Sequence, residues 1–179
     1  MVFYKKPFIG LFLLTTFLLA GFGLPKTIQK KVDKEIEKVF EVDYYATKFI
    51  EVPNELNANL PAKISDSNLF AIFQGEKKLG YAFVDKALSK TASFDYLVVF
   101  DTDLKVVHSK VLVYREDYGG EIGSKRWLRQ FLGKTGKDRV NHKTNIDAIA
   151  GATISVQSMT KSMDDLLQTI GILQENKIL

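Results

Sequence analysis

The chain has no cysteine and only two histidines among its 179 residues. The absence of cysteine excludes iron–sulfur clusters, covalent c-type haem, disulfide scaffolds and thiol nucleophiles. Neither His108, in a strand-like segment, nor His142, in a polar loop, is expected to act as a base or a metal ligand. No Gly-x-Ser-x-Gly segment, Ser–His pair or nicotinamide fingerprint is present. A stand-alone catalyst is therefore not indicated.

The excess of positive charge is confined to the N-terminal part of the chain. The formal net charge is +4, and residues 1–38 contain seven lysines but only three acidic residues. The remaining chain is therefore neutral and offers no basic stripe for the phosphates of a nucleic acid. We expect no nucleic-acid partner.

An uncharged segment, Pro7 to Leu24, follows Lys5 and Lys6. Its length suits a membrane span, and its basic head also resembles a signal sequence. Because Ala20 to Gly23 make a poor cleavage site, we expect a retained anchor over residues 1–25. Lysines also follow the segment, and their number alone would favour a cytoplasmic position for the domain. We set this count aside because long domains translocate largely regardless of charge and because a short basic head is typical of export signals. The prediction is a single-pass protein of the inner membrane with its domain on the extracytoplasmic side.

Residues 26–65 are predicted to form an amphipathic juxtamembrane helix and a linker. Apolar residues recur at near-helical spacing amid alternating lysine and glutamate, at Ile28, Val32, Ile36, Val39 and Phe40. Their side of the helix could pack on the domain, on the membrane surface or on a partner. Pro53 and Pro61 then bracket a polar stretch, residues 54–59, that is expected to lead into the main domain.

From Leu69 the apolar pattern becomes that of strands. Segments 69–73 and 79–84 flank one hairpin-sized turn, and segments 94–100 and 104–113 flank a second. Helical periodicity follows, so residues 66–173 are predicted to form an α+β domain. Its expected architecture is a small antiparallel sheet of two hairpins packed with two to three helices.

Two helices are predicted after the strands. The first, Ser124 to Leu132, places four apolar residues on one side, namely Trp127, Leu128, Phe131 and Leu132, and Trp127 is expected to pack in the core. Gly119 and Gly120 before it suit a tight turn. The second helix is amphipathic from Val156 onward, and Gly171 is expected to end it.

The segment Asp147 to Ser155 reads Asp-Ala-Ile-Ala-Gly-Ala-Thr-Ile-Ser and places a small, hydroxyl-bearing turn before the last helix. The first-turn amides of a helix lack internal partners, and with the helix dipole they favour an anion beside Thr153 or Ser155. Gly151 and Ala152 leave room for close approach of a ligand to the backbone. The pattern predicts a ligand with a phosphate; an ordinary helix start with Thr or Ser as the N-cap is the alternative.

The same segment resembles the flavinylation motif of FMN-binding domains, Asp-x-x-Ser/Thr-Gly-Ala-Thr, with Ala150 at the Ser/Thr position. A second segment supports the resemblance: a glycine turn is followed by Trp127 to Lys134, which fits the pattern W-x-x-Q-F-x-G-K. The turn lacks the proline found in larger members. Over about residues 68–173 the chain is similar to the FMN domains in the C and G subunits of sodium-pumping NADH:quinone reductase and Rnf complexes.

The resemblance implies FMN as the cofactor, joined through its phosphate to Thr153 by an FAD-dependent flavin transferase. It implies three roles: Asp147 helps to present the motif to the transferase, Gly151, Ala152 and the start of the last helix cradle the phosphate, and Gly119, Gly120 and Glu121 lie against the flavin ring. The implied function is electron relay with membrane redox subunits or a quinone-linked reductase. The alternative is a flavin-free interaction subunit that keeps the fold.

Overall fold

The computed structural model describes residues 23–179, which form one antiparallel sheet with helices on both of its faces. The strands follow one another in space as they do in sequence. They are β1 (Ala46–Phe49), β2 (Leu69–Gln74), β3 (Lys77–Leu88), β4 (Ser93–Phe100) and β5 (Val106–Val113). The predicted α+β class is confirmed.

Within residues 23–179, four helices accompany the sheet: α1 (Lys26–Phe40), α2 (Asn54–Asn59), α3 (Lys125–Leu128) and α4 (Thr153–Glu175). Short 3-10 turns, Gly120–Gly123 and Arg129–Phe131, flank α3. Helix α2 occupies the stretch that was expected to be a linker. No helix within residues 23–179 has the length and apolar character of a membrane span. Residues 1–22 of the predicted anchor lie outside the described residues.

The sheet carries a hydrophobic cluster on each face, and the central strand β4 shows why. Side chains alternate between the faces of a strand, so Tyr96 and Val98 point into the cluster beneath α4, whereas Leu97 and Val99 point into the cluster beneath α1. Both sets are buried. Burial on both faces is the reason that β4 reads as a nearly continuous apolar run.

Helix α1 packs on its own domain, which decides among the three surfaces that its apolar side could cover. Ile28, Val32 and Ile36 are buried against the sheet face that α4 leaves uncovered. The polar residues at the edge of this contact are also bonded: Lys31 Nζ donates to the Leu112 carbonyl at 2.7 Å. His108 Nε2 lies 2.9 Å from Glu35 Oε2.

The sheet has one strand more than the two predicted hairpins. Strand β1 pairs with β2 from Ala46, opposite Phe73, to Phe49, opposite Phe70. All four of its residues are exposed, so no alternation of burial marks it in the sequence. The last predicted strand also begins two residues late, because Leu104 adopts a left-handed conformation in the turn before β5.

Two predicted helix ends are wrong. Helix α4 continues through Gly171 to Glu175, because Gly171 faces the backbone of Gly136 rather than a helix terminus. Leu132 is 46% exposed instead of lying on the apolar side of the preceding helix, because the helical turn ends at Phe131 and Leu132 is extended.

Candidate functional site

Helix α4 begins without a side-chain cap. Ala152 occupies the N-cap position, and Thr153, the first helical residue, is exposed. An ordinary start with Thr or Ser as the N-cap is therefore not what the structure shows. Because first-turn N–H groups have no internal acceptor and carry the positive end of the helix dipole, this helix start can bind an anion.

An open cleft of about 690 Å³ lies beside the start of α4. Its walls come from three parts of the chain: residues 90–91 in the β3–β4 loop, residues 114–118 after β5, and residues 151–155. Four predicted site residues line it, namely Gly151, Ala152, Thr153 and Ser155. Ligand sites in proteins typically measure about 300–1,000 Å³, so the cleft has room for an organic cofactor.

Tyr114 joins the turn after β5 to the first turn of α4. Its hydroxyl donates to the Tyr118 carbonyl at 2.9 Å and lies 3.0 Å from Ser155 Oγ. Since the single phenolic proton is committed to the carbonyl, Ser155 donates to Tyr114. Ser155 is only 3% exposed. Its hydroxyl is therefore a structural group within the wall of the cleft.

Glycine is required at two points where the backbone of the site adopts left-handed conformations. Gly151 has φ +80° directly before Ala152, and Gly119 has φ +87° at the start of the glycine turn. A Cβ atom on Gly119 would lie 2.7 Å from the Tyr114 hydroxyl and 3.4 Å from Ala152 Cβ. The glycine turn thus packs directly behind the start of α4.

Two cationic side chains line the cleft, Lys90 and Arg115. Arg115 forms an ion pair with the buried carboxylate of Asp95, and its Nη1 donates to the Ser93 carbonyl at 2.8 Å. This pairing fixes the guanidinium of Arg115 against the start of β4. Lys90 is exposed in the β3–β4 loop.

Glu116 fastens the β3–β4 loop to the turn after β5. Its Oε1 accepts hydrogen bonds from the Thr91 backbone amide, the Ser89 hydroxyl at 2.8 Å and the Ala92 amide at 3.0 Å. These bonds, led by the one from the Thr91 amide, lower the pKa of Glu116 to about 2. The side chain is thus a fixed anion that organises one wall of the cleft.

Replacing Glu116 with glutamine is expected to flatten the dependence of stability on pH in acid. Between pH 4.5, the ordinary pKa, and about 2, the folded state binds fewer protons at this residue than the unfolded state does. The contribution of Glu116 is therefore complete above this window and is lost as the pH falls through it. Thermal denaturation across the window measures the difference. The control is Glu121→Gln, an exposed carboxyl in the same turn, and equal slopes for wild type and Glu116→Gln would contradict the assignment.

Asp147 and Glu121 line a second, smaller cleft of about 340 Å³. Arg126 and Trp127 also line this space. The structure therefore separates the predicted site residues into two neighbouring clefts. Gly119 and Gly120 line neither one: Gly119 packs against the Tyr114 hydroxyl and Ala152, and Gly120 lies against the ring of Tyr114.

Sequence reasoning did not assign roles to Tyr114, Tyr118 or Arg115. Tyr118 is 84% exposed on the wall of the larger cleft and offers an aromatic face there. The available signal was the placement of two tyrosines at the ends of the turn segment, directly before the glycines. Neither histidine lines this cleft, and no group in residues 23–179 has the three or more side chains expected of a metal site.

Comparison with known families identifies the cofactor of the domain. Residues 92–168 match the family model of the FMN-binding domain. The chain contains an FMN-binding domain. The matched range runs from the loop before β4 into α4 and includes the glycine turn, α3 and the start of α4. FMN is therefore the cofactor of the domain, as the resemblance implied.

The fold of the FMN-binding domain is similar to the crystal structure of Shewanella oneidensis NqrC. The TM-score is 0.50 and the sequence identity is 18%, over 72% of this chain and 68% of that chain. At this identity the likeness concerns the fold alone. No curated protein matches this chain.

The residues at the start of α4 fit FMN. Its phosphate needs N–H donors and positive potential, which the uncapped helix start offers beside Gly151 and Ala152. Its aromatic ring needs flat apolar surface and space, which the larger cleft offers at Tyr118.

Proposed function

We propose that this chain is a membrane-anchored flavoprotein that carries FMN as an ester on Thr153 and relays electrons between membrane redox partners. One observation carries the proposal. Thr153 presents an exposed hydroxyl at an uncapped helix start, and it lines a cleft large enough for an organic cofactor. It also stands at the threonine that carries the flavin in the motif Asp-x-x-Ser/Thr-Gly-Ala-Thr.

The attachment point is Thr153 rather than Ser155, because the two hydroxyl groups differ in accessibility. Ser155 is 3% exposed and donates its proton to Tyr114. Esterification there would break this bond and require space inside the wall. Thr153 is exposed, and its modification requires no rearrangement of the chain.

The protein's part in the chemistry is to hold and orient the cofactor. The first-turn amides of α4 bind the phosphate, which remains anionic as an ester, and Gly151 and Ala152 leave space for it. Tyr118 contributes an aromatic surface, while Lys90 and Arg115 supply positive charge at the cleft. Bound FMN supplies the capacity to exchange electrons singly or in pairs with successive partners.

The cellular setting follows from the sequence outside the domain. The basic head and uncharged segment before Leu24 anchor the chain in the inner membrane, with the domain on the extracytoplasmic side. A tether of this kind raises the concentration of the flavin near membrane-bound partners. The partners are redox subunits of a membrane complex or a quinone-linked reductase, and a flavin transferase matures the protein.

A flavin-free interaction subunit is the second candidate, and Ala150 is the observation that favours it. The motif has a hydroxyl side chain at this position, whereas Ala150 offers only an exposed methyl group. If that hydroxyl assists the transferase, the fold persists here without covalent flavin.

Co-expression with an FAD-dependent flavin transferase distinguishes the two candidates. We expect the intact mass of the protein to rise by one FMN less one water and the protein band to fluoresce in a denaturing gel. A yellow protein of unmodified mass would show that FMN binds without a covalent bond, and it would refute the ester on Thr153. An unmodified mass with no retained flavin would refute the carrier function.

A further inference from the structure

Two side chains from the helical turn around α3 hold both polar backbone groups of Asp147. Trp127 Nε1 donates to the Asp147 carbonyl at 2.8 Å, and Gln130 Oε1 accepts from the Asp147 amide at 2.8 Å. The Gln130 amide group in turn donates to the Trp127 carbonyl at 2.9 Å, which closes a ring of hydrogen bonds. We call Trp127 and Gln130 together the Asp147 clamp.

The clamp is anchored in the hydrophobic core through Trp127. Trp127 is buried and meets Phe131 edge-on, with ring centroids 5.3 Å apart. Ser124 caps its helix by accepting from the Trp127 amide. The clamp therefore ties the backbone of Asp147 to the hydrophobic core.

The segment that the clamp holds has few other attachments. Asp147, Ala148 and Ala150 are exposed, and residues 147–149 have no regular secondary structure. Within the segment, the Ala152 amide donates to the Ile149 carbonyl at 3.1 Å, and the side chain of Ile149 packs on the core. The clamp is thus a principal tie between the first residue of the motif and the body of the domain.

We infer that Trp127 and Gln130 are positioning residues for the modification of Thr153, an inference that rests on the proposed function. By fixing the backbone of Asp147, they keep its carboxyl at the surface and hold the loop that leads to Thr153 in one conformation. The transferase then meets a preformed motif rather than a mobile loop, so less ordering is needed on binding.

The modification itself balances with FAD as the co-reactant. Thr153 Oγ forms a bond to the phosphorus on the FMN side of FAD, and the bond between that phosphorus and the bridging oxygen breaks. AMP leaves with the bridging oxygen, and the hydroxyl proton of Thr153 is released. No electrons are transferred. The clamp residues take no part in the bonds that form or break.

Substitutions in the clamp can leave the fold intact because the smaller cleft borders both Trp127 and Asp147, so water can reach the freed groups. Trp127→Phe removes the indole N–H and keeps an aromatic ring. Gln130→Leu removes the acceptor for the Asp147 amide, whereas Gln130→Glu keeps that acceptor and loses only the bond to the Trp127 carbonyl. Phe83→Leu, a buried substitution on β3, serves as the control for a general loss of stability.

The experiment measures the initial rate of FMN attachment by intact mass, with FAD and transferase, at a temperature at which every variant is folded. Hydrogen exchange of the Asp147 amide is measured on the unmodified proteins. We expect attachment to slow about tenfold or more in Trp127→Phe and Gln130→Leu, with faster exchange at Asp147 in Gln130→Leu. Phe83→Leu is expected to keep the wild-type rate, and Gln130→Glu, which keeps the bond to the Asp147 amide, is expected to attach FMN faster than Gln130→Leu.

Wild-type rates of attachment in Trp127→Phe and Gln130→Leu would overturn the inference. An equal loss of rate in the control Phe83→Leu would overturn it too. If Trp127→Phe does not fold, the contrast between Gln130→Leu and Gln130→Glu decides. A wild-type chain that takes up no FMN overturns the proposed function, whereas equal modification of wild type and clamp variants overturns only the inference.

Discussion

Thr153→Ala is expected to carry no covalent flavin after co-expression with an FAD-dependent flavin transferase, while its stability stays within about 0.5 kcal/mol of wild type. The hydroxyl oxygen is the only atom of this side chain that can form the phosphoester. Thr153 is exposed in the first turn of α4 and does not cap it, so alanine removes no cap and is a good helix former. Intact mass and in-gel flavin fluorescence measure the loss.

Two matched variants make this prediction specific. Thr153→Ser keeps a hydroxyl at the same position and is expected to keep the attachment. Ser155→Ala is expected to keep it too, although loss of the bond to Tyr114 costs about 1 kcal/mol of stability. An added mass that persists in Thr153→Ala and disappears in Ser155→Ala would move the attachment to Ser155 and contradict the reading of the cleft.

Gly136→Ala is expected to lower the free energy of unfolding by about 2–3 kcal/mol, the cost of overpacking a tight contact. A Cβ atom on Gly136 would lie 2.5 Å from Gly171 Cα and 2.6 Å from Gly171 N, within α4. Both contacts are with backbone, so no side-chain rotation relieves them. Either the loop or the second half of α4 must move, and that half carries core residues such as Leu167 and Ile170.

Chemical denaturation measures this loss against a matched glycine substitution. Gly23→Ala adds the same methyl group where no atom of the described residues 23–179 lies within 4 Å, and we expect it to change stability by no more than about 0.5 kcal/mol. Equal stability of Gly136→Ala and wild type would show that the loop moves away from α4 without cost. In that case the close approach of the two glycines would not explain why α4 carries Gly171.

The site is assembled where three separate stretches of chain meet at one end of α4. The glycine turn packs behind Ala152, and Tyr114 bonds Ser155. The β3–β4 loop is tied to the turn by Glu116. The proposed FMN site therefore depends on contacts among loops, whereas the sheet and α4 supply the support on which those loops rest.

Local patterns in the sequence determined much of the fold. The period-2 and continuous apolar runs predicted β2 to β5 to within a few residues, except that β3 extends four residues further, because burial on a sheet imposes those patterns. The helical spacing of Ile28, Val32 and Ile36 predicted α1, and the resemblance in the segments 119–134 and 147–153 implied FMN. These patterns involve residues that are close in sequence, so they do not depend on contacts with distant parts of the chain.

Only the tertiary structure decided what depends on residues far apart in sequence. Strand β1 exists through its pairing with β2, and Gly171 lies inside α4 because a loop 35 residues earlier approaches it. The same holds for the surface that α1 covers, for the separation of Asp147 from Thr153 into two clefts, and for the clamp that Trp127 and Gln130 form on Asp147. Spacing along the chain records which side chains share a face of one element. It does not record which loops close on one another, because loop closure is set by the packing of the whole domain.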